Sequence, residues 1–415
     1  MEGMKDSGIR WIGNIPKSWK TKRIKYLSTL KGRIGWQGLT SDEYQDEGAY
    51  LITGVNFSNG GIDWESCEHV PMQRWDEAKD IQIENGDLLI TKDGTIGKVA
   101  LVENMPGETS LNSGVLRIMT YEGYDRKYLY WVLQSDVFWN WFNFKNAGNS
   151  TIQHLYQGDF EEFIYAYPEE SEQQAIADFL DDKCSQIDSI IADIEKQIEI
   201  LKSYKKSLIT ETVTKGLDKN AKMKDCTLDF AKAVNCDWKI TKIKYICNMY
   251  SGNNLTAEDI EEDGDFPVYG GNGIRGYYSE YSNDGEYIIV GRQGALCGNI
   301  HLTEGKFWAT DHAVVTYLKP FYDSHFIKYL FESMNFNQYS QSAAQPGLAV
   351  STIMNLRTVI PESKSEQHKI SKFLDDKCNQ IDSIITTKQA QLTKMQQHKK
   401  SLIYEYVTGK KRVAI

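Results

Sequence analysis

Gly271-Asn272-Gly273-Ile274-Arg275-Gly276 has the spacing of a loop that cradles a dinucleotide pyrophosphate. That chemistry needs a strand before the loop and a helix after it, with the helix N-terminus facing the phosphates. Here Tyr277-Tyr278-Ser279-Glu280-Tyr281 follows, a turn-and-strand sequence, so the segment reads as a hairpin. Glu304-Gly305-Lys306 and Glu77-Ala78-Lys79 carry the Glu-x-Lys of a metal-dependent nuclease, with Asp284 and Asp63 as upstream carboxylates. Neither has the usual Pro-Asp, and the two fall at unmatched places in the chain. Asp311-His312 has no nucleophile at a recognisable spacing, and a satisfied structural histidine is the simpler reading. No GxxxxGK[ST] loop for ATP is present. No Pro-Pro occurs either, which removes the adenine-methylation tetrapeptide, Asn or Asp followed by Pro-Pro and an aromatic. The sequence thus nominates no catalytic, metal or cofactor residue of its own.

The elements that would carry any function are duplicated. Ser171 to Gly216 recurs 194 positions later as Ser365 to Lys410, with more than half the paired residues identical. Pro168 and Pro361 stop what precedes, and Ser171 with Gln174 predicts a capping box; Ser365 with His368 predicts a weaker one. Apolar positions then step by four and three, through Leu180, Cys184, Ile187, Ile191, Ile194, Ile198 and Leu201, and through Leu374, Cys378, Ile381, Ile385, Leu392, Met395 and Leu402. Such heptads put one seam on each helix and call for a partner helix. Gly216 and Gly409 mark the far ends. The simplest pairing is of one copy with the other, as an antiparallel coiled coil.

The remaining sequence repeats faintly. Trp19-Lys20 with Ile24-Lys25-Tyr26 matches Trp238-Lys239 with Ile243-Lys244-Tyr245. The strand-turn-strand at Gly86 to Val99 matches Gly285 to Asn299. One aromatic-rich helix per unit is predicted, over 128–142 and 326–336. The fold class is therefore α+β, with two mixed α/β domains held apart by two long helices: 1–168, helix 169–216, 217–361, helix 362–415.

At 415 residues and 25% charged, the chain can bury two cores. No apolar run approaches membrane length and the first residues lack a signal core, which predicts a cytoplasmic protein. Seven cysteines without a CxxC pair argue against a disulfide framework or a zinc ribbon. Cys184 and Cys378 fill seam positions as small core residues. The net charge of −10 is awkward for a nucleic-acid binder, yet the first 35 residues and the C-terminal tail are basic.

The tandem layout, the opening Asp6-Ser7-Gly8-Ile9-Arg10-Trp11-Ile12-Gly13-Asn14-Ile15-Pro16-Lys17-Ser18-Trp19, the Gly94-Thr95-Ile96-Gly97-Lys98 turn, and the Pro168…Ser171-Glu172-Gln173 and Pro361…Ser365-Glu366-Gln367 lead-ins carry a family resemblance. Over nearly the whole chain, the sequence resembles the DNA specificity subunit of type I restriction-modification enzymes. The twice-present Pro…Glu-Gln lead-in is its most specific part. The resemblance implies two target recognition domains, each reading one half of a split double-stranded DNA sequence. It also implies helices that dock two methyltransferase subunits, with two restriction subunits added where the assembly cleaves. S-adenosylmethionine would be held by the methyltransferase partner. Glu172, Gln173 and Phe179, with Glu366, Gln367 and Phe373, are then the residues expected at the partner subunits. A tandem protein-binding scaffold and a non-functional or decoy specificity subunit are the alternative readings.

Base edges are told apart by Arg, Lys, Asn and Gln making paired hydrogen bonds in the major groove. Loops rich in these residues beside glycine are the expected DNA contacts: Lys31, Arg33 and Gln37; Lys92, Thr95 and Lys98; Asn149, Thr151 and Gln153. In the second domain they are Asn253 and Asn254; Asn272, Arg275 and Tyr277; and Arg292 and Gln293. Plain turn chemistry accounts for the Gly and Asn at any one of these equally well. Cys297-Gly298-Asn299 replaces the Gly-Lys of the first domain, so Lys98 has no basic counterpart.

Overall fold

The computed structural model describes residues 3–33, 39–147, 153–294, 296–340 and 347–413. The chain divides into two compact units, Met1–Ile194 with Gln391–Ile415, and Glu195–Ala390. Each unit therefore owns part of both long helices.

In the first unit the strands of the main sheet and its neighbouring ribbon are β1 (Lys20–Arg23), β2 (Ser28–Gly32), β3 (Leu88–Thr91), β4 (Val99–Leu101), β5 (Val115–Thr120) and β6 (Ile164–Tyr167). An antiparallel sheet runs β4-β3-β5-β2, while β1 pairs with β6. The unbroken apolar run of β3 reflects burial on both faces. Leu88 and Ile90 join the main core, and Leu89 joins a smaller cluster with Ile52 and Val115.

The single helix expected over 128–142 is two, α1 (Arg126–Gln134) and α2 (Asp136–Lys145). Ser135 makes the break: its hydroxyl donates to the Val132 carbonyl and accepts from the Val137 N-H, closing one helix and capping the next. Between this pair and the sheet sit Phe138, Trp141, Phe142, Phe160 and Phe163, with neighbouring ring centroids 5.1 to 6.5 Å apart. The first long helix is α3, Glu170–Lys215.

The second unit repeats the frame with β7 (Lys239–Lys242), β8 (Cys247–Ser251), β9 (Tyr287–Gly291), β10 (Ile300–Thr303), β11 (Ala313–Leu318) and β12 (Arg357–Ile360). Its sheet runs β10-β9-β11-β8, and β7 pairs with β12. Here the aromatic helix α4 (Ser324–Met334) ends at Asn335, left-handed at φ 47°, before a tight turn of helix at Phe336–Tyr339. The second long helix is α5, Lys364–Val407.

Neither long helix is capped as expected. Ser171 lies inside α3, whose first turn closes on the Glu169 carbonyl, and α5 is capped by Ser363, whose Oγ accepts from Glu366 N-H at 3.4 Å. Each helix starts before the serine chosen from sequence, because the prolines end the preceding strands early enough for the intervening residues to join the first turn.

The seam follows the heptads, with Ile191, Leu201, Ile385, Leu392 and Met395 half-buried and the other positions buried. Leu180, Cys184, Ile187, Ile194 and Ile198 are buried, as are Leu374, Cys378, Ile381 and Leu402. Burial pushes the Cys184 thiol up to about 11 and raises that of Cys378. In the first unit Phe179 stacks on Tyr406 with centroids 4.5 Å apart, and Asp188 meets Lys399 at 2.6 Å. In the second, Gln197 meets Lys388 at 2.5 Å and Asp382 meets Lys205 at 2.6 Å. Within each unit one helix advances as the other recedes, so the pairing is antiparallel.

Candidate nucleic-acid interface

One end of each main sheet gathers the loops nominated from sequence. In the first unit these loops leave β2 at Gly32 and β3 at Thr91 and enter β5 at Val115. In the second they leave β8 at Ser251 and β9 at Gly291 and enter β11 at Ala313.

At the centre stand two residues at equivalent places, Lys92 and Arg292. Lys92 donates its N-H to the Gly114 carbonyl at 2.8 Å and accepts from Leu155 N-H at 3.0 Å; Arg292 donates to His312 at 2.8 Å and accepts from Leu348 at 2.9 Å. Before each, the turn closes identically: Thr91 N-H to Lys98 O and Gly97 N-H to Thr91 O, against Gly291 N-H to Asn299 O and Gly298 N-H to Gly291 O. The turns require glycine. Gly97 and Gly298 have φ of 76° and 90°, and a Cβ would lie 2.7 Å from the Trp139 ring or 2.5 Å from the Asn337 backbone nitrogen. Four matched backbone bonds thus present one basic side chain from each unit. Lys92 and Arg292 each stand two residues before a glycine of the matched turns, Gly94 and Gly294.

Around Arg292 the backbones close up: a Cβ on Gly291 would strike the Gly271 carbonyl, and one on Gly271 would lie 2.6 Å from that of Gln293. The Arg292 guanidinium donates to Ser251 Oγ at 3.1 Å, which aims it and leaves further donors for a ligand. Asn299 donates to Asn272 Oδ1 at 2.7 Å, so the position matching Lys98 steadies the hairpin. Gln293, Arg275, Asn253 and Asn254 are exposed on the same loops; the Asn253 N-H is tied to the Ala309 carbonyl and Tyr277 bridges Glu261. Gly271–Gly276 is the tip of a hairpin whose second strand is Gly273–Tyr278, with no helix following. Exposed Ile274 and Leu296 were not foreseen; apolar side chains on such loops suit contact with a thymine methyl group, and their only signal was an aliphatic residue within a glycine turn.

In the first unit Lys98, Thr95 and Gln153 are exposed, with Thr95 Oγ1 donating to Gly54 O at 3.3 Å. His154, also unforeseen, pairs with Asp93 at 2.6 Å beside the exposed Tyr156. Lys31 lies on β2, paired with Asp80 at 3.3 Å. Gln37, Asn149 and Thr151 lie outside the described residues.

Some expectations are corrected. Arg33 is buried, donating from Nε to the Leu111 carbonyl at 2.7 Å and from its terminal nitrogen to Ser110 Oγ at 2.9 Å; burial lowers its pKa, and it braces the strand edge instead of facing a ligand. Gln173 and Gln367 are also buried. Each accepts from the backbone N-H of a helix cap, Asp125 or Asp323, at 2.9 Å and donates at 2.9 Å to the proline carbonyl before its own helix, Pro168 or Pro361. Glu172 is buried against Arg412 at 2.5 Å, and Glu366 accepts from Trp238 Nε1 at 3.1 Å. Phe179 and Phe373 pack partly buried against the two cores. The lead-in motif therefore locks each long helix to its unit, and its polar groups face inward.

Among the described residues no group of three His, Cys, Asp or Glu side chains is placed to hold a metal, and no helix is long and apolar enough to cross a membrane. Residues 16–200 and 235–394 match the family described as the type I restriction modification DNA specificity domain. The chain belongs to this family. The EcoprrI specificity subunit of Escherichia coli is 43% identical over 134 residues, 31% of this chain and 33% of that protein. The MjaVIII specificity subunit of Methanocaldococcus jannaschii is 21% identical across 96% of this chain and 94% of its own length. A chain solved in work on complex assembly of the type I R-M system shares the fold, with a TM-score of 0.71 at 12% identity over 95% of this chain and 98% of that one. The HsdS subunit of Thermoanaerobacter tengcongensis does so at a TM-score of 0.52 and 12% identity, over 95% and 98%. Specificity domains are thus duplicated in this chain, one per unit.

Proposed function

We propose that this chain is the sequence-specificity subunit of a cytoplasmic type I restriction-modification enzyme. Each unit reads one half of a bipartite duplex target. The paired helices dock two methyltransferase subunits and, where the system cleaves, restriction subunits. The chain itself is non-catalytic, and S-adenosylmethionine is held by the methyltransferase. The matched backbone cage around Lys92 and Arg292 carries this reading, because two units built alike and armed differently are what a split target asks for.

The test is a map of methylated adenines in DNA exposed to the chain with its methyltransferase. Exchange of residues 20–165 for the matching part of a relative should change one half-site and leave the other intact. A change in both halves would overturn the reading, as would cofactor binding to the chain alone by calorimetry.

A further inference from the structure

At the end of the second sheet away from these loops lies a cleft of about 770 Å³. Lys239, Lys242, Lys319, Arg357, Tyr245 and Tyr322 line it, and none of the four cations makes an ion pair among the described residues. The five residues of β8 separate it from Ser251, roughly 16 Å at about 3.3 Å per residue, so a duplex seated on the loops does not fill it.

The first unit shows what such a ribbon holds. There Lys20 pairs with Glu169 at 3.2 Å, Arg23 with Glu162 at 2.9 Å and Lys25 with Glu162 at 2.5 Å. Matched backbone bonds align the two ribbons: Tyr121 N-H to Leu27 O against Lys319 N-H to Ile246 O, and Ile24 N-H to Phe163 O against Ile243 N-H to Leu356 O. Ile164 pairs with Arg23 where Arg357 pairs with Lys242. Among the aligned positions four gain positive charge, while Lys22, which becomes Thr241, loses it. Tyr121 becomes Lys319, Glu122 becomes Pro320, Glu162 becomes Asn355 and Ile164 becomes Arg357. Four gains less one loss leave these five places three charges more positive in the second unit, in a chain whose net charge is −10. Phe321 stands 75% exposed at its rim.

We propose that this cleft is a docking site for an acidic peptide segment of a protein partner, one of whose carboxylates takes the place that Glu162 fills in the first unit and Asn355 leaves open in the second. Only the second unit has the Glu162 place free, so the partner distinguishes the two units of the repeat.

A fluorescein-labelled oligoglutamate peptide, titrated into the full chain at low salt and followed by anisotropy, tests this. Lys319→Tyr with Arg357→Ile, which restores the residues of the first unit, should weaken binding about tenfold, while Arg292→Ala leaves it unchanged. Lys319→Gln with Arg357→Gln keeps the stems and should behave likewise, and thermal unfolding checks both variants. Tyr121→Lys with Glu162→Asn and Ile164→Arg should create a second site. Equal affinity in the wild type and both cleft variants would overturn the proposal. So would a duplex of unrelated sequence that displaces the peptide and itself loses affinity in the cleft variants, since the cleft would then serve nucleic acid.

Discussion

The two units differ least where a side chain is buried and most where it meets solvent, although both regions are equally part of the repeat. At the roots of the long helices Gln173 and Gln367 make the same two bonds to backbone, and Trp131 and Tyr329 donate to Asp181 and Asp375 at 2.8 and 2.7 Å. At the loop ends the backbone bonds are again shared, but Lys92 stands for Arg292, Lys98 for Asn299, and an Asp93–His154 pair is set against the Arg292–Ser251 contact. A frame held by backbone and buried amides leaves the exposed positions free to vary, which lets one architecture carry two specificities.

The sharpest break of that comparison is at the roots. Gln173→Ala leaves the Asp125 N-H and the Pro168 carbonyl without their partner in a buried place, at a cost of about 3 kcal/mol. Gln367→Ala should cost the same. Urea unfolding of the full chain checks both, and a Gln367→Ala protein as stable as the wild type would end the claim that the two roots are equivalent.

The loops should respond unequally. Arg292 presents a planar fork already oriented by Ser251, whereas Lys92 is a point charge on a flexible stem. With Arg292→Ala, selection should relax at one position of one half-site by about 1 to 3 kcal/mol. With Lys92→Ala, binding should weaken almost uniformly across sequences and the salt dependence should fall by about one ion. Binding to a library of duplexes at several salt concentrations separates the two. A sequence-selective loss from Lys92→Ala would make both residues base readers.

Much of this was legible from the chain alone. Heptads, terminal glycines and the 194-residue offset gave the paired helices, because burial of a seam imposes period on sequence. The meaning of Gln173 and Gln367 was not legible. Both belong to the lead-in that the family resemblance places at the partner subunits, and only the distant Asp125 and Asp323 loops bury them. Arg33 stands beside Gly32 in a loop rich in base-reading residue types, and only the distant Ser110–Leu111 strand buries it. The Lys92–Arg292 match is present in residue counting, two positions before Gly94 and Gly294, but only the shared backbone hydrogen bonds show that both side chains are presented by the same cage.

The smallest expected effect concerns the ion pairs of the coil. Asp188 with Lys399 in the first unit and Asp382 with Lys205 in the second are the same pair with the helices exchanged, each at 2.6 Å. Both aspartates are more than half exposed, so solvent screens the attraction, and each pair should contribute about 0.5 kcal/mol. Direction matters more than size. Asp188→Lys sets two cations against each other, and Lys399→Asp added to it restores an opposite pair with its charges reversed. A double-mutant cycle on stability should return a similar coupling in either unit. In the wild-type pattern each lysine also disfavours any shift that would carry it opposite Lys388 or another cation, so these pairs select the antiparallel register more than they stabilise it. Should the cycle give coupling in one unit and none in the other, register would rest on the apolar seam alone, and the exchange of roles between the helices would be an inheritance of the repeat without energetic consequence.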